Sequence, residues 1–224
     1  MKTKSLRYFY ATTCLFAVCF CATSRAEQGQ FYVKADAGPA LATDVRLAEF
    51  YGPTISGSEI ELKPGIRLGL RGGYGLTDWM DAEVETGMIA NEVDSITGAT
   101  EDDATLSHFP LLVNLRFHCP KWDRLSPYLG GGVGVSTVVL YGDDITIGGT
   151  RMDGSASGVA FAYQGFAGLR YAINDRMGLS LEYRYFGTSS SDSDADVTSG
   201  TISDELRLGT TGTHTITFAF DYKF

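Results

Sequence analysis

The sequence predicts an all-β chain: eight antiparallel strands closed into an up-and-down transmembrane barrel, with short periplasmic turns at one end and long extracellular loops at the other. Three observations predict it. Hydrophobic alternation with a period of two recurs in eight stretches of the 224 residues. The connections between those stretches alternate short and long. The first twenty-six residues carry an export signal, so the barrel is written for a solvent outside the cytoplasm.

The export signal comes first in the chain. Lys2, Lys4 and Arg7 form a basic front, residues 8–22 an apolar run, and Ser24 and Ala26 supply the small residues before a cleavage site. Residues 1–26 therefore read as a signal peptide and 27–224 as one barrel domain. The run is too short and too interrupted by Thr and Cys for a membrane anchor. The residues before its cysteines fit a lipoprotein signal poorly. Cleavage would remove 4 of 18 basic residues and none of the 27 acidic ones, leaving a formal charge of −13. Such a chain is a poor partner for nucleic acid. Of four cysteines only Cys119 would remain, which excludes an internal disulfide.

The eight strands follow in order. Residues 30–40 set Phe31, Val33, Ala35 and Ala37 against Tyr32, Lys34 and Asp36. Residues 65–75 set Ile66, Leu68, Leu70 and Tyr74 against Arg67 and Arg71. Residues 80–90 set Met80, Ala82, Val84 and Met88 against Asp81, Glu83 and Glu85. Residues 109–117 set Leu111, Val113, Leu115 and Phe117 against Asn114 and Arg116. Residues 127–141, "PYLGGGVGVSTVVLY", are so rich in glycine that their phase is not fixed. Residues 158–172 set Phe161, Tyr163, Leu169 and Tyr171 against Gln164 and Arg170. Residues 178–186 set Leu179, Leu181, Tyr183 and Tyr185 against Glu182 and Arg184. The last stretch, "TITFAFDYKF", places Ile216, Phe218, Phe220, Tyr222 and Phe224 on one side. Residues 76–79, 118–126 and 173–177 are the short connections. Residues 41–58, 91–106, 142–157 and 187–212 are long and rich in Gly, Ser, Thr and Asp, which puts every long loop at one end of the strands.

Alternation does not say which face points inward. A soluble barrel would turn its apolar face in and its charged face out. The export signal, the aromatic terminus and strands of roughly 9 to 11 residues, long enough to cross a bilayer at a tilt, favour the inverse. Lys34, Asp36, Arg67, Arg71, Asp81, Glu83, Glu85, Arg116, Arg170, Glu182 and Arg184 then form an interior ladder of ion pairs, since an unpaired ion in such an interior is costly. Tyr74, Trp79, Trp122, Tyr128 and Tyr171 lie where strands meet short turns and read as a membrane-interface girdle. The interleaved carboxylates and arginines lack a nucleophile, so no catalytic residue is assigned.

With these residues in place, the chain resembles the OmpA/OmpX/opacity-type eight-stranded outer-membrane β-barrel family over essentially all of residues 27–224. The carriers are "FPLLVNLRF", "SPYLGGGVGV", "AFAYQGFAGLRYAI" through "MGLSLEYRYF", and the terminal "FDYKF". The resemblance implies residence in the outer membrane of a Gram-negative bacterium, among outer-membrane lipid and lipopolysaccharide. It also implies that Phe218, Phe220, Tyr222 and Phe224 act as the signal read by the outer-membrane assembly machinery. The chain departs from relatives that carry a peptidoglycan-binding domain after the barrel.

Function then falls to the outer loops, whose Glu92, Asp94, Glu101, Asp102, Asp103, Asp143, Asp144, Asp153, Asp192, Asp194, Asp196, Asp204 and Glu205 make them acidic. A solvated surface and a weak divalent-cation surface are both compatible with that composition. The stretch 192–203 matches the first ligands of an EF-hand loop but has Val197 in place of the required Gly and Ser203 in place of the required Glu, so no metal site is expected. No cofactor is expected either. The expectation is a monomeric, non-enzymatic envelope protein that presents its loops to an unknown extracellular partner. The alternatives are an enzyme acting on lipid A, with His108 or His214 at the outer rim, and a narrow small-solute porin.

Overall fold

In a computed structural model, the described residues are 29–43, 45–50, 59–96, 99–100, 103–118, 124–147, 150–195 and 206–224; they contain strands and no helix. Eight long strands carry the architecture: β1 (Phe31–Ala42), β2 (Gly65–Gly75), β3 (Met80–Ile96), β4 (Asp103–His118), β5 (Leu125–Ile147), β6 (Thr150–Ala172), β7 (Met177–Thr188) and β8 (Thr211–Lys223). Each pairs antiparallel with the next, and β8 pairs back onto β1 through Val33↔Tyr222, Ala35↔Phe220 and Ala37↔Phe218. The barrel is closed, so no edge strand is left unpaired in the wall.

The phase of every strand matters more than its length. Along β1 burial alternates residue by residue, with Tyr32, Lys34 and Asp36 inside and Phe31, Val33 and Ala35 outside. The same alternation places Arg67 and Arg71 of β2 inside and Leu68 and Leu70 outside. On β8, Thr215, Thr217, Ala219 and Asp221 face in, while Phe218 is 72% exposed. A soluble protein would not leave that many large apolar side chains on one continuous surface.

β5 has a definite phase: Leu129, Val133 and Val135 face out, and Tyr128, Ser136, Val138 and Leu140 face in. Its glycines are positions of close approach. A Cβ on Gly132 would meet Asn114 Oδ1 at 1.8 Å, and one on Gly130 would meet the Phe166 ring at 2.5 Å. The glycines that blur the sequence pattern thus make room for large side chains arriving from neighbouring strands.

The strands run further than alternation indicates. β5 and β6 stay paired from Leu125↔Tyr171 to Ile147↔Thr150, so most of 142–157, expected as a loop, is a hairpin extension. Five short strands, Val45–Phe50, Glu59–Leu62, Ala99–Thr100, Ser191–Ala195 and Leu206–Leu208, continue the wall beyond the ends of the long ones. Four of them link β6 to β3 by a second path, through Ser193↔Gly158, Leu206↔Ser193, Leu206↔Phe50, Val45↔Ile60 and Ile60↔Ile96. Beyond the lipid both faces of a strand are wet. Ladder hydrogen bonds persist there, but nothing enforces a period-two sequence.

Asn91 marks the start of this outer tier: buried, it donates its side-chain amide to Ala40 O within β1 (3.2 Å) and to Lys63 O (2.9 Å), in the gap between the short strand Glu59–Leu62 and β2.

Candidate functional site

Beginning at the short-turn end, the interior opens on two compact ion pairs. Arg116 of β4 reaches across to Asp81 of β3, with Nη2 2.6 Å and Nε 2.8 Å from Oδ2. Arg170 of β6 grips Asp221 of β8 with Nε at 2.9 Å from Oδ1 and Nη2 at 2.7 Å from Oδ2. The second pair is bidentate, the stronger arrangement for arginine and carboxylate. Tyr32 donates its hydroxyl to Glu83 at 2.6 Å, and the Arg116 guanidinium lies 4.8 Å over the Tyr32 ring.

One turn of alternation higher, two carboxylates organise the lumen. Glu182 accepts from Arg71 (3.0 and 3.1 Å), Arg184 (2.5 Å), Lys34 (3.3 Å) and the Tyr128 hydroxyl (2.9 Å). Glu85 accepts from Arg67, Arg184 (2.5 Å), Asn114 (2.9 Å) and Gln164 (2.8 Å). Asp36 joins the two groups, taking Arg71 at 2.8 Å and Arg67 at 3.2 Å. Phe166 lies among these cations, with Arg184 at 4.9 Å and Arg71 at 5.8 Å from its ring centre. Such contacts shield guanidinium faces that no carboxylate reaches.

Above the network the charged side chains give way to an apolar cluster flanked by the buried His108, Ser136, Thr213 and Thr215. Ala40, Ile89, Leu112, Ala162 and Phe186 form a fully buried layer contributed by β1, β3, β4, β6 and β7. An eight-stranded barrel is just wide enough to be filled by side chains, and here an ionic tier and an apolar tier fill it in series.

All eleven residues read as a ladder lie inside the barrel, and each has an ion-pair partner within 4 Å. The sequence reading missed Asp221, Lys223, Asn114 and Gln164 as members. Their parity alone places them inward: Asp221 and Lys223 alternate with the outward Phe220, Tyr222 and Phe224. Counting them, the described interior holds seven cations and six carboxylates. It is close to neutral, so the described lumen does not carry the net negative charge of the chain.

Tyr128, expected in the interface girdle, is buried inside, because β5 takes the phase that sends its hydroxyl to Glu182 and Lys34. Tyr74, Trp79 and Tyr171 are on the outer surface near the short turns, with Phe31 packed 4.7 Å from Tyr74 and Trp79 stacked 5.9 Å from Phe117. Trp122 and Cys119 lie outside the described residues. His108, expected at the rim, is 2% exposed and points into the lumen with its ring 5.8 Å from Phe186. Its neighbour Ser107 has the opposite parity, so the wall separates the two groups. Of the acidic outer residues, Glu92 and Asp94 are exposed, and Lys63 pairs with Asp94 at 3.4 Å in an open position worth little. Asp192 and Asp194 lie in the short strand Ser191–Ala195, while Asp196 through Ser203 lie outside the described residues. No cluster of three or more potential metal ligands occurs among the described residues.

A closed barrel with lipid-compatible side chains outside and a salt-bridged lumen defines an integral β-barrel protein of an outer membrane. The chain belongs to the outer membrane protein beta-barrel domain family, whose model matches residues 11–224. It resides in the outer membrane of a Gram-negative bacterium. Solved structures share the fold. Neisserial surface protein A is 17% identical, with 87% of this chain and 97% of that chain covered and a TM-score of 0.52. OprG from Pseudomonas aeruginosa is 18% identical, with 89% and 97% covered and a TM-score of 0.54. AlkL, solved in lipid bilayers, is 16% identical, with 91% and 94% covered and a TM-score of 0.52. No curated protein matches the sequence.

Proposed function

We propose that this chain is a sealed, non-enzymatic barrel that anchors an acidic outer tier in the membrane for contact with an extracellular partner. The observation that carries the reading is the lumen: a neutralised ion network backed by the apolar layer of Ala40, Ile89, Leu112, Ala162 and Phe186. Rearranging this filling to pass a solute would separate buried ion pairs, each costing several kcal/mol. Of the two histidines an enzyme at the outer rim could use, His108 faces the lumen and not the lipid, and the outward-facing His214 is engaged by Tyr183 and Tyr185. Residues 1–26 act as the cleaved signal, and Phe218, Phe220, Tyr222 and Phe224 as the assembly signal. The mature chain works as a monomer in this reading; its wall closes through β8 and β1 without a strand from a second copy.

The test combines two measurements on the full mature chain. In planar bilayers it should give no sustained conductance steps. On whole cells, deleting residues 191–208, which include the outer strands Ser191–Ala195 and Leu206–Leu208, or residues 45–62, which include Val45–Phe50 and Glu59–Leu62, should abolish adhesion to host or neighbouring-cell surfaces while leaving the barrel folded. Steady conductance in the wild type would replace this reading with a porin.

A further inference from the structure

The outward face of β6, β7 and β8 carries a cluster unlike the rest of the lipid-facing wall. His214 lies between two tyrosines: its Nδ1 is 2.8 Å from the Tyr183 hydroxyl, and its ring centre is 5.1 Å from Tyr185. Tyr163 continues the row, 6.3 Å from Tyr185. Two glycines let these rings lie against the strands. A Cβ on Gly187 would meet the Tyr163 ring at 2.6 Å, and one on Gly212 would meet the Tyr185 hydroxyl at 2.9 Å. The result is a built platform of four rings with polar tips.

Its height in the membrane follows from the register. Phe224, 71% exposed, marks the short-turn end of the outward face of β8. At a rise of about 3.4 Å per residue and a tilt of roughly 40°, the climb from Phe224 to His214 is about 26 Å, the thickness of the apolar band of such barrels. The platform therefore sits at the outer-leaflet boundary, where apolar chains give way to headgroups. At the equivalent level on the other strands the outward residues are Pro39, Ile66, Ala90 and Phe109, without a comparable group of polar rings.

We propose that Tyr163, Tyr183, Tyr185 and His214 form a binding site for the phosphorylated sugar headgroup of lipopolysaccharide, the lipid of that leaflet. Tyrosine faces suit the apolar faces of sugar rings, and their hydroxyls remain wet at the interface. When the Tyr183 hydroxyl donates to Nδ1, the imidazole carries its proton on Nε2, which becomes a donor for a phosphate oxygen. The site does not depend on whether the lumen conducts.

The experiment is a titration of the refolded mature chain in micelles with bisphosphorylated lipid A, dephosphorylated lipid A and phosphatidylglycerol, read by native mass spectrometry. His214→Phe keeps a ring and removes the donor. It should weaken bisphosphorylated lipid A about tenfold, the value of one charge-assisted hydrogen bond, and leave the dephosphorylated form unchanged. Tyr185→Leu should weaken both forms, and Tyr163→Leu supplies an independent variant on another strand. Phe109→Leu, on the far wall, should change nothing. The shift between heated and unheated electrophoretic mobility checks that each variant is folded. Equal binding of all variants, or equal binding of phosphatidylglycerol and lipid A by the wild type, would overturn the site.

Discussion

Removing the carboxylate of Glu182 is the sharpest perturbation the interior allows. It accepts hydrogen bonds from four side chains, three of them cationic. The cations are not equally dependent on it. Arg71 keeps Asp36 at 2.8 Å and Arg184 keeps Glu85 at 2.5 Å, but among the described residues Glu182 is the one carboxylate within 4 Å of Lys34. Glu182→Ala therefore strands one fully buried ammonium and loosens two guanidinium groups. Breaking a buried pair by removing one partner costs about 3–5 kcal/mol, and the partial pairing left to the arginines holds the expectation inside that range. Glu182→Gln preserves shape and part of the hydrogen bonding and should cost about 2 kcal/mol less than Glu182→Ala. The assay is reversible urea unfolding in lipid vesicles, followed by tryptophan fluorescence. Combining Glu182→Leu with Lys34→Met should cost less than the sum of the single changes by at least about 1.5 kcal/mol, because no lone ammonium remains. A loss below about 1 kcal/mol for Glu182→Ala, or strict additivity in the double variant, would refute the claim that these ions are locked together in a water-poor lumen.

Other perturbations probe separate parts of the account. Gly132→Ala puts a methyl where Asn114 Oδ1 now sits and should destabilise the barrel by about 1–3 kcal/mol in the same urea assay. His108→Leu replaces a buried imidazole whose Nδ1 has no hydrogen-bond partner among the described residues; it should leave stability unchanged or raise it by about 1 kcal/mol. Leu70→Arg places a charge on the outward face near mid-membrane and should cost about 2–4 kcal/mol in vesicles. Deleting Phe224 should lower the amount of barrel assembled in cells severalfold while the refolded protein unfolds at an unchanged urea midpoint, a difference read by comparing outer-membrane yield with the in vitro curve.

Inside the membrane one face meets lipid and the other meets packed ions, so each strand must alternate. Lys34, Arg71, Glu85, Arg116, Glu182 and Arg184 are assigned to one common face by that alone, and the export signal and the aromatic terminus turn that face inward. β5 does not, because three inward positions are glycine and the side chains that occupy the space, Phe166 and Asn114, are written on other strands. Tyr128 lies inside and not in the girdle for that reason: a tyrosine near a short turn suits either place until the phase of its strand is fixed. His108 illustrates the same limit, since nearness to the strand end says nothing about which side of the wall a ring occupies. The outer tier was illegible on different grounds. Above the lipid the backbone ladder continues without asking anything of side-chain polarity, so residues 142–147 and 150–157 read as loop and fold as paired strand. The His214 platform depends on rings from three strands and on two glycines beneath them, a coincidence visible only once the register is known.

The central claim is that grease faces lipid and ions face the lumen, and spin labelling tests it directly. Single cysteines at Val113 and Asn114, in a Cys119→Ser background and with the barrel in vesicles, carry nitroxides on adjacent residues of β4. The account predicts that the label at Val113 is relaxed by oxygen and shielded from aqueous nickel chelate, while the label at Asn114 is immobilised and reached by neither. A Val113 label open to the aqueous chelate, with the Asn114 label in contact with oxygen-rich lipid, would mean the barrel is turned the other way.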